Sequence, residues 1–228
     1  MKELKRNCIF ISNWGSGIIV SAVCLLILSS CHHSETENYP SGRLMVEKTM
    51  KGKKLDGLLT SWYENGKIKQ KADYRNDRLD GKLINWYGNG ELQLEEDYRD
   101  GVKNGVSKSW DQEGNLIEEK HYKNDTLEGS YKMWFSSGML KVEGNYHVGM
   151  FHGKWNYYSE EGIKVGIGDF VGGTGILNGF DLLGKKIHTV HYSKNKKEGE
   201  EIEYNPDGSM KETRVFEQDK IVRTIKGK

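Results

Sequence analysis

The sequence predicts an all-β fold: tandem antiparallel hairpins laid side by side into an elongated, twisted single-sheet ribbon. Three observations predict it. Glycine is abundant, 28 of 228 residues, whereas proline occurs twice. Gly57, Gly81, Gly105, Gly129 and Gly153 recur every 24 residues, and Gly175 and Gly199 continue the series after a two-residue deletion. A second ladder follows nine residues behind, at Gly66, Gly90, Gly114, Gly138, Gly162, Gly184 and Gly208. Aromatic residues keep phase with both ladders. Trp62, Trp86, Trp110, Trp134, Tyr158, Phe180 and Tyr204 follow the first, and Tyr74, Tyr98, Tyr122, Tyr146, Phe170, Tyr192 and Phe216 follow the second. Self-similarity at a fixed period is the signature of a repeat array.

Each copy reads as two strands. Residues 57–64 run out, Asn65-Gly66 turns, and residues 67–74 return. Asn-Gly is the strongest short hairpin signal because both residues tolerate positive φ. A two-residue turn there places Gly57 opposite Tyr74, Tyr63 opposite Ile68 and Trp62 opposite Lys69. Each first glycine then faces an aromatic ring, a known stabilising device in sheets. The polar stretch from Arg75 to Asp80 reads as the second turn. A lone hairpin is marginal in water, so neighbouring copies must stabilise one another along a quasi-one-dimensional array. In such an array a ring in the last copy, Phe216, is expected to matter less than one in the middle, Tyr98. Gly42 and Met50 fit half of a truncated first copy. The array is expected over residues 41–220, as a partial copy plus seven copies, with residues 221–228 as a C-terminal tail.

The N-terminus has a different grammar. Lys2, Lys5 and Arg6 form a basic start, Ile18 to Leu28 is apolar apart from Ser21 and contains no charge, and Ser29 and Ser30 precede Cys31. This is the pattern of a cleaved export signal, and the apolar run is shorter than the roughly 20 residues of a membrane span. Leu28-Ser29-Ser30-Cys31 resembles the bacterial lipobox, which implies lipidation at Cys31 and a signal peptide over residues 1–30. Residues 31–40 read as a flexible lipid-proximal tether, and His32-His33 within it lacks further metal ligands. The expected location is the cell envelope, lipid-anchored, at the outer membrane and facing the periplasm or the surface.

Of 34 Lys+Arg and 33 Asp+Glu, three and one precede Cys31, so the mature chain carries a net charge near −1. No basic surplus points to nucleic acid. Two of the three cysteines fall within the signal, and acylation would consume the third. No Gly-x-Ser-x-Gly elbow or His-Glu-x-x-His occurs. Residues 179–186 approach a phosphate-binding loop, but Lys186 stands where Ser or Thr must hold magnesium. Glu95-Glu96 and Glu118-Glu119 are split between opposite strand faces, as are His188 and His191, and the acidic pairs read as solvated charges. The reading is therefore not an enzyme, with no catalytic residues, no metal and no cofactor. The candidate binding residues are Trp62, Trp86, Trp110, Trp134 and Tyr158, which share one offset. Gly57, Gly81, Gly105, Gly129 and Gly153 are the structural glycines.

The run from Val142 to Trp155 resembles a MORN repeat, with Val142 in place of that pattern's first aromatic. Trp62 to Lys69 resembles the bacterial variant of that repeat, found also in YwqK-type antitoxin proteins. The resemblance covers about Ser41 to Lys220. Copy six, Gly175 to Tyr192, is degenerate, with Phe180-Asp181 in place of Trp-Tyr. The resemblance implies a hairpin ribbon, roles in membrane attachment and scaffolding, and no catalytic residues. Three functions are expected: an envelope interaction module with an unidentified protein or glycan partner, an antitoxin or immunity protein, or an envelope glycan binder whose aromatics stack on sugar rings.

Overall fold

The computed structural model describes Lys5–Arg6 and residues 31–227. Every element among them is a strand. No helix of the described residues is long and apolar enough to cross a membrane. The predicted signal peptide lies outside the described residues except for Lys5–Arg6 (β1), which pairs with Ser34 and His33.

The chain divides into two compact units. The first holds β2 (His32–Asn38), β3 (Leu44–Lys51), β4 (Lys54–Trp62), β5 (Ile68–Arg75), β6 (Arg78–Trp86) and β7 (Leu92–Arg99). Each of these pairs antiparallel with the next. The second unit holds most of β8 (Val102–Trp110), then β9 (Leu116–Lys123), β10 (Thr126–Trp134), β11 (Leu140–His147), β12 (Met150–Tyr158) and β13 (Lys164–Val171). It continues through β14 (Thr174–Phe180), β15 (Lys186–Ser193), β16 (Lys196–Tyr204), β17 (Met210–Glu217) and β18 (Lys220–Lys226). These too pair in sequence order, all antiparallel. The all-β, tandem-hairpin fold is the one predicted.

Two boundaries differ. Residues 32–38, expected within the tether, are β2, which pairs with β3 from His32–Lys51 to Asn38–Leu44. The expected tail contains most of β18, paired with β17. Both segments lack a strong apolar pattern of their own. A neighbouring strand's backbone recruits them, and a ladder needs no apolar side chain to form.

The predicted glycine–aromatic register holds: Gly57 faces Tyr74, Gly81 faces Tyr98 and Gly105 faces Tyr122. The turns are the reverse of those expected. At the Asn65-Gly66 tip, Gly66 N donates to Tyr63 O (2.9 Å) and Tyr63 N donates to Lys67 O (2.8 Å). That closes a three-residue loop, with Gly66 alone at positive φ, 86°. The bulge comes next: Ser61 faces Gln70 but Trp62 faces Ile68. Lys69 bulges out and absorbs the extra loop residue, so Trp62 opposes Ile68 rather than Lys69. The two-residue turns sit at the other end. Asn76 and Asp77 have φ of 49° and 67°, and Asn124 and Asp125 of 49° and 61°. Positive φ at both central residues is what the twist of a two-residue hairpin turn requires.

The first glycine of each copy has a second reason to be glycine. Between Lys48–Leu59 and Met50–Leu55, one residue of β3 opposes three of β4, a two-residue bulge. Gly57 sits in that bulge at φ 124°, where a Cβ would lie 2.8 Å from Thr49 Cβ. The other structural glycines, Gly81, Gly105, Gly129 and Gly153, also have positive φ. Copy six is the informative exception. β13 and β14 pair without any register shift, and Gly175 is not at positive φ. The two-residue deletion seen in the sequence has removed the bulge itself.

Both ends of the first-unit hairpins bind the next copy. At the tips, Tyr39 and Tyr63 hydroxyls donate to the carbonyls of Trp62 and Trp86, each at 2.7 Å. Asn65 Nδ2 donates to Gly88 O and Asn89 Nδ2 to Gln112 O. At the other end Asp77 N donates to Leu55 O while Leu55 N donates back to Asp77 Oδ1, both 2.8 Å. The backbone half of the second link recurs in later copies, as Gly149 N to Leu127 O and Asp219 N to Lys197 O, whereas the tip links belong to the first copies, since Asp111, Phe135 and Ser159 stand where Tyr63 does.

The second unit has an aromatic core on one face. Trp155 and Phe170 are 2% exposed and Val142 is 8% exposed. Tyr131 stacks on Trp155 at 5.5 Å, while Tyr146 and Phe151 meet it edge-on at 5.1 and 4.7 Å. Gly144 lies under the Trp155 ring and Gly168 under Phe170, with no room for a Cβ at either. Rings do cover glycines here, at positions the period did not single out. Burial pushes the Tyr157 hydroxyl up to about 12 and raises Tyr131 further.

Candidate binding groove of the first unit

Cross-strand pairing lines up Glu37, Val46, Ser61, Gln70 and Asn85 in a row running over β2 to β6. Beside the row, at the tip end, stand Trp62, Trp86, Tyr39 and Tyr63. Together they line a groove of about 590 Å³. The two tyrosine hydroxyls are committed to the tryptophan carbonyls, so each ring is held by a tether to the next copy. Lys48 pairs with Glu37 at 2.6 Å, neutralising the one acid of the row. Gln70 Nε2 donates to Asn85 Oδ1 at 3.0 Å. Lys69, pushed out by the bulge, lies over the Tyr63 ring at 5.7 Å.

Of the five candidate binding residues, Trp62 and Trp86 line this groove. Trp110, Trp134 and Tyr158 belong to the second unit, where they oppose Leu116, Leu140 and Lys164. The Tyr158 hydroxyl donates to Glu143 at 2.7 Å, which raises its pKa. All five are half-buried; a fully exposed aromatic ladder is not what they form. Cys31 directly precedes β2. His32 and His33 lie beside Asp56 and Glu35, at 3.1 and 3.6 Å. No three His, Cys, Asp or Glu side chains among the described residues gather as a metal site.

Sequence reasoning missed several polar residues. Tyr39 lay inside the supposed tether. Gln70 and Asn85 carry no marker of the period, and only the register brings them together. The tyrosines could have been found, since Trp62-Tyr63 and Trp86-Tyr87 repeat as pairs. Glu96, read as a solvated charge, is 4% exposed. It accepts from the Tyr98 hydroxyl at 2.8 Å and pairs with Lys103 at 2.5 Å, the pairing a buried carboxylate requires.

No curated protein matches the chain. The MORN repeat variant matches four segments, residues 55–76, 103–124, 127–147 and 197–218, which fall on the hairpins β4–β5, β8–β9, β10–β11 and β16–β17.

Proposed function

We propose that this chain is a non-enzymatic, lipid-anchored protein of the cell envelope whose MORN-type hairpins form an interaction or scaffold platform. The observation that carries the reading is the copy-to-copy lacing at both hairpin ends of the first unit, which joins repeated hairpins into one continuous surface there. Such surfaces are what repeat proteins use for binding. Cys31 is the proposed acylation site. Because β2 begins at His32, acyl chains there would hold the first unit against the bilayer without a tether.

The test joins fractionation to capture. Wild-type protein is expected in the membrane fraction with its signal removed. Cys31→Ser is expected to be released, or to keep its signal uncut. A Cys31→Ser protein that still fractionates as a mature membrane protein would refute the anchor. Crosslinking in intact envelopes, followed by affinity capture, is expected to recover a partner. Recovery of a secreted toxin would assign an immunity role within the same reading.

A further inference from the structure

We infer that His147 and His152, in the second unit, form an open binding site for a divalent transition-metal ion of the zinc or copper type. The starting point is a substitution within the repeat. Each two-residue turn is flanked by two positions five residues apart. At the four turns before β11–β12 these hold Lys51 and Asp56, Arg75 and Asp80, Arg99 and Asn104, and Lys123 and Glu128. A cation thus stands across the turn from a carboxylate or an amide, and Arg75 Nε lies 3.0 Å from Asp80 Oδ2. At the β11–β12 turn both positions are histidine. The two rings lie with centroids 5.5 Å apart and planes at 56°. Two neutral imidazoles do not replace an ion pair, and two protonated ones repel. A metal cation between them restores the attraction, because each neutral ring supplies a nitrogen lone pair.

The register places both rings on one face. Asn145 opposes His152 and His147 opposes Met150, so the histidines are diagonal neighbours on adjacent strands, within reach of each other. Tyr146 and Phe151 alternate with them and pack on the aromatic core instead. Glu128, from β10, orients the site. Its Oε2 accepts from Val148 N at 2.7 Å, and its Oε1 lies 2.9 Å from His147 Nδ1. An ionised carboxylate only accepts, so Nδ1 carries the proton and Nε2 presents its lone pair. A carboxylate on the far nitrogen is how metal-ligating histidines are usually set. The same residue fixes the turn, where Val148 keeps φ 49°, a conformation that β-branched residues otherwise avoid.

The donor set decides the ion. Imidazole nitrogen suits zinc, copper and nickel, whereas magnesium and calcium take oxygen. Glu128 beside the rings favours a cation over an anion. Two rings fill half of a tetrahedral sphere. Both histidines are exposed, so water or a ligand from outside can fill the rest.

The test titrates the full-length protein in detergent, its thiols alkylated, with zinc chloride and copper chloride, and with magnesium chloride as the oxygen-seeking control. Binding is read by calorimetry, and nitrogen coordination of copper by electron paramagnetic resonance. One zinc or copper ion is expected at this site, and magnesium is expected to bind at least tenfold more weakly. His147→Gln and His152→Gln should each remove that ion. Glu128→Gln should weaken its binding about tenfold, and His32→Gln, in the first unit, should leave it unchanged. Combining His147→Arg with His152→Asp restores the pair found at the β5–β6 turn, so this double variant should keep its fold by circular dichroism and lose the ion. If it fails to fold, the single variants decide. The inference is overturned if neither ion binds, if magnesium binds equally well, or if binding survives the histidine substitutions. A pair that binds no metal but makes the wild type less stable in acid than the double variant would be a protonation switch, which also overturns it.

Discussion

The 24-residue glycines do two jobs that a sequence pattern cannot separate. Each faces an aromatic across the ladder, and each has positive φ, inside a bulge at Gly57, Gly81, Gly129 and Gly153. The bulge is the more demanding role. Gly81 has φ 131°, and a Cβ there would lie 2.7 Å from Asp73 Cβ. A non-glycine residue in such a conformation costs on the order of 1–3 kcal/mol, and the clash adds to it. Gly81→Val is therefore expected to lower stability by about 2 kcal/mol or more, seen as a lower denaturation midpoint. An unchanged midpoint would mean that ring covering, not backbone conformation, keeps glycine there. The tip asparagines teach the converse. Asn65 looked like a backbone choice for a two-residue turn. It is a side-chain choice: its Oδ1 accepts from Lys67 N and its Nδ2 donates to Gly88 O. Residue type alone is blind to that difference, because Asn favours turns for either reason.

At the scale of strands, the period was legible and the exceptions were not. Copy six lost two residues and with them its bulge, and the structure repairs the junction from further away. Asn195 reaches past Gly173, accepting from Phe151 N and donating to Gly149 O, both at 2.8 Å. Gly173 leaves the space, since a Cβ there would meet Asn195. Nothing local in the sequence announces a bond across 44 residues. The strands at both extremes were missed for a related reason: β2 reads as polar, and every residue of β18 is exposed. The expected ordering of ring losses also changes. Phe216 is 7% exposed, whereas Tyr98 is only half-buried, so position in the array does not rank them. The same end of the array holds a buried carboxylate, Glu201, with three charged or titratable partners. Burial pushes the Glu201 carboxyl up, but donation from Lys197 and His188 outweighs it and leaves the pKa below the usual range. Arg214 adds a contact at 3.5 Å. A lowered folded pKa means that the unfolded chain takes up the proton first as pH falls. The stabilisation is therefore complete above the ordinary carboxylate value of about 4.3 and is lost as pH drops through the lower folded value. Glu201→Gln is expected to be less stable at neutral pH and to lose less stability on acidification, by denaturant midpoints at pH 7 and in the acid range. Parallel pH curves for the two proteins would show that the network does not couple to folding.

For the whole molecule, the lesson is that stability is uneven although the motif repeats. In a stack where each hairpin is supported by its neighbours, local opening follows burial and lacing rather than copy number. Within the second unit, β12 and β13 carry Trp155 and Phe170, the most deeply buried rings, and Asn195 clips β12 in place. β18 has no buried residue, with Ile221 and Val222 more than half exposed, and it is paired with β17. Amide hydrogen exchange should therefore be slowest in β12 and β13 and fastest in β18, with β16 and β17 between. Asn195→Ala should speed exchange in β12 before it affects β17, because the bonds it removes end on Phe151 and Gly149. It should cost about 1–3 kcal/mol, the range for a buried amide left without its partner. Uniform exchange across β12 to β18, in the native protein or the variant, would mean that the unit opens as one cooperative block. The hairpin would then not be the unit of stability, despite being the unit of sequence.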